Sequence, residues 1–540
     1  MAKIIARGRE AVDGLFDSGA QRAAQTGRPQ WLSLRAPVAP CDALALFADC
    51  QAEDAFYWEE PARGLAIAGL GRLHAIESRG AHRVEEAARL SRELFADHQL
   101  VDLGAAVGEK KGADASAEKG SEEGAGQVQG WTGPLLVGGF SFSGEPGAGS
   151  GEWEAFGAGR LVLPERVYLR QGNDAWLSAS GRIAKGDDPG REATRLRARF
   201  EETLKSVNLE SVDLRDVNLR DVNGEATPAS GAASTMGAPD KQACWRGFPP
   251  ALGHAGAGES GPEYRVRSDR SHARYCAQVQ AAREAIARGE LEKVVLARSL
   301  HVSHDGDFDL PHFLDTLRRT YPSCAILALR RGGHYFVSAS PERLVELAGD
   351  RVETVALAGT APRGRSPEED ERIGRELRER KKDQEEHAIV RRAIEQALQP
   401  LCGELEGPET PVLLRLEGIQ HLETPLAGRL AASLEDRPGV LDLVARLHPT
   451  PAVGGAPRAA GQAWIDRWEG LDRGWYAGPV GFVTARGDGS FRVALRSAHI
   501  RGGEARLFAG AGIVEASQPE DELRETRLKL RALLAPLTEI

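Results

Sequence analysis

From residue 266 to the C-terminus, short β-rich runs come in pairs with amphipathic helices between them, and this alternation constrains the fold more than any other feature. "YCAQVQAAREAIARGE" has helical spacing and leads into the strand-like "KVVLARSLHV". A helix over "LPHFLDTLRRTYP" follows, then strands over "CAILAL" and "HYFVSAS". A second strand pair, "LVELAGDRVETVAL", ends at the glycine turn "AGT". Apolar spacing near 3.6 predicts the helices, and β-branched runs bounded by Gly and Pro predict the strands. Strand pairs interleaved with helices predict a layered α+β fold rather than a doubly wound sheet.

The N-terminal half reads as mixed α and β. "LAIAGLGRLHAIES" predicts a further strand pair and "VEEAARLSRELFADH" an amphipathic helix. "GPLLVGGFSF", "WEAFGAGRLVLPERVYLR" and "AWLSASGRI" predict antiparallel strands. His74, His82 and His98 read as surface or packing residues. Two stretches have almost nothing to bury. One lies near 105–130, and the other, Gly-, Ala- and Pro-rich and clearest over 206–262, opens with "VNLESVDLRDVNLRDVN". The expected organisation is therefore an N-terminal α+β part over 1–205 with an insertion at 105–130, a linker over 206–265, and a chemistry-bearing part over 266–540.

Composition narrows the function. The chain has 540 residues, 41% hydrophobic and 27% charged, as in a globular protein. A formal net charge of -10 with no long basic stripe argues against nucleic-acid binding. An enzyme for an anionic substrate must therefore gather Arg and Lys locally. The scattered cysteines form no CxxC pair, so a reducing cytoplasm is expected. The N-terminus lacks the pattern of a signal peptide, and no run approaches the roughly 18 apolar residues that span a bilayer.

Four places carry candidate chemistry. Lys293 opens the strand "KVVLARS" and shares a face with Val295, Ala297 and Ser299. It reads either as a snorkelling edge lysine or, if buried, as a base. Glu342 follows "VSAS" where Pro341 turns the chain; it reads as a turn carboxylate or as a catalytic acid. In "DQEEHAIVRRAIEQAL", the stripe of Val390, Ala393, Ile394 and Ala397 places Glu386 inward and Glu385 to the side. Such a glutamate is either paired with an arginine or binds metal. In "PEDELRETRLKLRALL", Glu522, Glu525 and Lys529 share one face, opposite Arg524, Arg527 and Arg531. Inward carboxylates on two helices suit a hard cation such as Mg2+. Just upstream, "FAGAGIV" reads as a Gly-rich turn whose N–H groups could hold an anion.

Taken together, "EKVVLAR", "SASPERL", "LAGTAPRG", "DQEEHAIV", "LHPTPAVGG", "YAGPVG", "ALRSA", "LFAGAGIV" and "ELRETRLKL" resemble the chorismate-utilising family of isochorismate, salicylate, anthranilate and aminodeoxychorismate synthases. The resemblance covers essentially all of 266–540. "FYWEEPARGLAIAGLG" and "GGFSFSGEPGAGSGEWEAFGAGRLVLP" are similar to the isochorismate branch. The family fold implied is α+β, with two antiparallel sheets packed face to face and helices outside.

The resemblance implies chorismate as substrate and Mg2+ between its ring carboxylate and Glu386 and Glu525, with Glu522 close by. Arg496 and Lys529, with backbone from Gly510 and Thr360, would hold the enolpyruvyl carboxylate, and His421 in "QHLETPL" would line the ring pocket. Amine-adding relatives carry a non-basic residue at position 293, and the aminodeoxychorismate branch a lysine where this chain has Ala358. No "LLES"-like tryptophan-binding signature is present. Water is thus the expected nucleophile, with Lys293 as base and Glu342 as acid in a Mg2+-dependent isomerisation of chorismate to isochorismate. A salicylate synthase, which goes on to eliminate pyruvate, is the alternative. A non-catalytic chorismate-binding subunit is disfavoured by the presence of every expected site residue. A monomer is expected, with the insertions as possible docking points for a downstream enzyme. Menaquinone, a catechol siderophore and salicylate all remain open as the end product.

Overall fold

A computed structural model of the chain describes residues 2–103, 131–144, 151–206, 264–403, 405–434 and 436–538. Apart from Ser206, the stretches expected to be insertions at 105–130 and 206–262 lie outside the described residues. The rest folds as two large sheets, one of 13 strands and one of nine. Every pairing is antiparallel except that of Gln30–Val38 with His98–Asp102.

Both sheets are built from both halves of the chain. In the larger one, Ala325–Arg331 pairs with Asp54–Glu60. In the smaller one, Pro479–Thr484 pairs with Leu135–Phe140. Asp54–Glu60 is buried along its whole length, as a strand covered on both faces must be. Its residues alternate accordingly: Trp58 turns toward the nine-stranded sheet and meets the edge of Phe482 at 5.6 Å, and Trp131 meets the same ring at 5.0 Å. Tyr57 turns to the opposite face, in a cluster with Phe16, Phe47, Phe313 and Leu533 from the helices outside. On the far side, helices Arg83–Ala96, Lys381–Cys402 and Val440–Leu447 cover the nine-stranded sheet. The expected face-to-face packing with helices outside is what the chain adopts.

Three local expectations need correction. "LAIAGL" and "HAIES" are both strands but do not pair with each other. The chain turns at Gly71 (φ 74°), and Leu65–Leu70 joins the larger sheet while His74–Ser78 joins the smaller. "AGT" does not end its strand. Arg351–Pro362 runs through it, with Gly359 at φ 81° accommodating a bulge between Ala358 and Thr360. "FAGAGIV" is not a turn either, because all of it but Val514 lies within the strand Glu504–Ile513. Its glycines answer to close neighbours: a Cβ at Gly510 would sit 2.9 Å from the Tyr476 hydroxyl, and one at Gly512 would sit 2.1 Å from Glu386 Oε1.

Candidate active site

Glu342 occupies the crossing between the two sheets. The strand His334–Ser340 belongs to the larger sheet and Arg343–Ala348 to the smaller, and Pro341 makes the turn between them. The Glu342 amide donates to Ser340 Oγ (3.2 Å), and Val493 N donates to the Glu342 carbonyl (3.1 Å), so the backbone is pinned on both sides. Its carboxyl is buried, which pushes it up to about 8 against the pull of Lys293 and Lys529. A carboxylic acid that keeps its proton at neutral pH is a donor in waiting.

Lys293 does start its strand, but it is no edge residue. Lys293–Ser303 is flanked by Glu504–Ile513 and, at Lys293 itself, by Gly455–Ala456. Its side chain has no exposure, and Nζ lies 3.0 Å from Glu386 Oε1. Glu386 is the inward residue of its helix, as the spacing predicts, while Glu385 is exposed. Burial opposes ionisation of Glu386, but Lys293 and Lys382 outweigh it and hold the carboxyl below its ordinary value. The partner of the buried glutamate is thus a lysine rather than the arginine that was the alternative.

Opposite these groups, Thr360, His421 and Arg496 form a chain. Arg496 Nη2 donates to His421 Nε2 at 3.0 Å, and His421 Nδ1 lies 3.1 Å from Thr360 Oγ1. A guanidinium cannot accept, so Nε2 is the acceptor and the ring proton belongs on Nδ1. Burial and the nearby Arg496 and Lys529 keep His421 neutral, well below its ordinary pKa. Arg496 takes up the left-handed region at φ 45°, a strained conformation for a residue with a side chain and one that clusters at functional sites. Lys529 donates to the Gly510 carbonyl (3.0 Å) and to Glu525 Oε1 (2.7 Å).

These side chains surround one common pocket. Glu342, Thr360, Glu386, His421, Arg496, Gly510 and Lys529 line it, with Val295, Leu357 and Phe508 as apolar wall. Ala358 also lines it, offering no amine. Lys293 lies behind Glu386 and Glu525 behind Lys529, neither forming the wall itself. Glu522 is a layer further back, fully buried, with Oε1 2.6 Å from Lys382 Nζ.

The three glutamates expected to share Mg2+ are therefore not gathered as a ligand set. Each is drawn by one oxygen to its own lysine: Glu386 to Lys293, Glu522 to Lys382 and Glu525 to Lys529. Among the described residues, no three acidic, His or Cys side chains converge to hold a metal as they stand. The chemistry of the donors nonetheless fits a hard divalent cation. All are carboxylate oxygens, and neither buried oxygen of Glu522 accepts a hydrogen bond of good geometry. Burial and the neighbouring Glu525, offset by Lys382, push Glu522 up to about 7. Burial likewise raises Asp383 to about 6, with Lys382 opposing and Glu386 adding to the shift. Lys382, Asp383 and Tyr476 escaped the sequence reading. Lys382 stands four residues before Glu386, a spacing that places both on one side of the helix and could have found it.

The chain belongs to the chorismate-binding enzyme family, a class with a small-molecule substrate, whose profile matches residues 18–115 and 257–538. It is 33% identical over 532 residues to the salicylate biosynthesis isochorismate synthase of Pseudomonas aeruginosa, covering 98% of this chain and 95% of the relative. It is 30% identical to isochorismate synthase MenF of Bacillus subtilis, covering 89% of this chain and 87% of the relative. Among solved structures, the menaquinone-specific isochorismate synthase MenF of Escherichia coli superposes with a TM-score of 0.65 at 23% identity, over 96% of this chain and 99% of the other. Anthranilate synthase component I of Streptococcus pneumoniae superposes at 0.59 and 17% identity, over 87% and 92%. The fold is shared with both structures. Among the described residues no helix is long and apolar enough to cross a membrane.

Proposed function

We propose that the chain is an isochorismate synthase, an isomerase that adds water at C2 of chorismate and expels the C4 hydroxyl. The observation that carries this reading is two buried groups of opposite roles: a lysine, Lys293, held by Glu386, and a carboxylic acid, Glu342, whose burial keeps it protonated at neutral pH. Ammonia needs no base, whereas water does. Full-length relatives named as isochorismate synthases support the same choice.

In this mechanism Arg496, oriented by His421, and Lys529 bind substrate carboxylate. Lys293 takes a proton from the attacking water as the C2–O bond forms and the ring double bonds shift. It can do so only as the free amine, which requires Glu386 to give up its 3.0 Å hold. Glu342 delivers its proton to the departing C4 hydroxyl, which leaves as water, and solvent resets both groups. Mg2+ held by Glu386 and Glu525, with Glu522 close by, would supply a fixed positive charge for the ring carboxylate. The net reaction relocates one hydroxyl, so chorismate and isochorismate should settle at comparable amounts unless a later enzyme removes the product.

The test is HPLC of products from the purified protein with chorismate and Mg2+. Isochorismate building up beside residual chorismate is expected. Salicylate with stoichiometric pyruvate would move the chain to the salicylate synthases, and no consumption of chorismate would remove the assignment altogether.

A further inference from the structure

Lys382 has no part in the reaction as proposed, yet it sits among the carboxylates on which that reaction depends. It stands on the first turn of the helix Lys381–Cys402, four residues before Glu386, and reaches across to the helix Pro519–Thr538, where its Nζ lies 2.6 Å from Glu522 Oε1. Its side chain is 17% exposed, and Glu522 is buried. It does not line the cavity, unlike Lys529, and it does not pair with Glu386 at contact distance, unlike Lys293. Glu522, Glu525 and Glu386 together hold its ammonium in the charged form against burial.

We propose that the Lys382 ammonium is a built-in counter-ion of the Glu386–Glu522–Glu525 cluster, which a divalent cation displaces from Glu522, so that Lys382 sets how tightly the cation is held. The inference rests on the assignment of these glutamates to a divalent cation. Carboxylates carried on two neighbouring helices repel one another even when each leans to its own lysine, and the Lys382 charge, in contact with Glu522 and within the influence of Glu525 and Glu386, offsets that repulsion. Glu522 depends on it most, since neither of its buried oxygens accepts a hydrogen bond of good geometry. A lysine suits a replaceable charge: its stem is flexible and its head is compact and strongly hydrated, so a partly exposed one can withdraw to solvent when a stronger cation arrives. The arrangement also accounts for a ligand set that is chemically suited to a metal but drawn apart onto lysines.

The test is direct titration of Mn2+, a hard cation standing in for Mg2+, into the full-length protein, with free ion read by its paramagnetic resonance signal. Without the competing charge, Lys382→Met should bind Mn2+ about tenfold more tightly than the wild type, or better. Lys382→Arg, which keeps the charge, should stay close to the wild type. In the absence of metal, Lys382→Met should melt below the wild type, and saturating Mn2+ should close that gap. Lys382→Gln carries the same expectation should the methionine variant not fold. Equal or weaker Mn2+ binding by the neutral variants would overturn the role of Lys382 while leaving the metal site standing. Absence of Mn2+ binding by the wild type would overturn both.

Discussion

Lys293 Nζ and Glu386 Oε1 stand 3.0 Å apart, one on a strand of the larger sheet and the other on a helix over the smaller, and both are buried. The pair ties the proposed base to a proposed metal ligand, so neither can change state without the other.

Lys293→Met should therefore fail twice. It strands a buried carboxylate, at a cost of about 3–5 kcal/mol, and it removes the base, lowering turnover by about 10² or more. Adding Glu386→Gln should restore much of the stability and none of the activity. Urea melts and chorismate assays of the single and double variants check this, and turnover near wild type in Lys293→Met would remove the lysine from the mechanism.

The Glu342 carboxyl carries its own pH signature. Raised to about 8 when folded, it binds a proton that the unfolded chain releases near pH 4.5. Between those values the native state holds more protons than the unfolded one, so this group makes stability fall as pH rises. Turnover should fall with it as Glu342 loses its proton through about pH 8. Glu342→Gln should abolish turnover and flatten the stability loss over that window, which thermal melts from pH 5 to 9 would show.

Gly512→Ala probes crowding. The new methyl would meet Glu386 Oε1 at 2.1 Å, and the buried carboxylate has little room to retreat. Turnover should drop steeply, and the alanine protein should also bind divalent cation more weakly. A full-strength enzyme would mean that Glu386 is free to move.

Arg496→Ala should raise KM for chorismate by about 10–100-fold, the worth of one charge-assisted hydrogen bond. His421→Ala, which leaves the arginine in place without its 3.0 Å partner, should raise KM less. Steady-state kinetics of the two variants would rank them.

The helical spacing of Glu386 and Glu522 was enough to place both inside, because a carboxylate on an apolar stripe has nowhere else to go. It could not show that each would be claimed by a lysine, since Lys293 and Lys382 reach their partners across elements distant in sequence. From the strand alone Lys293 read first as an edge residue, because burial on a strand depends on neighbours such as Glu504–Ile513 that local pattern does not reveal. The adjacent runs "LAIAGL" and "HAIES" looked like a hairpin for the same reason: nothing in their alternation tells a chain that turns back from one that steps into another sheet. Gly359, Gly510 and Gly512 were legible as special but not as what they are, a bulge and two close approaches inside strands.

The seams at Asp54–Glu60 and Leu135–Phe140 bear on how such an enzyme can be cut down or rebuilt. Every residue assigned to the reaction falls after position 290, which invites the idea of a minimal catalytic fragment. Such a fragment would expose the flanks of Ala325–Arg331 and Pro479–Thr484 as two raw, apolar edges, open to any strand that came by. The first half of the chain is thus neither a regulatory add-on nor a spare module. It completes the barrier to self-association, and the two halves can be inherited or engineered only together.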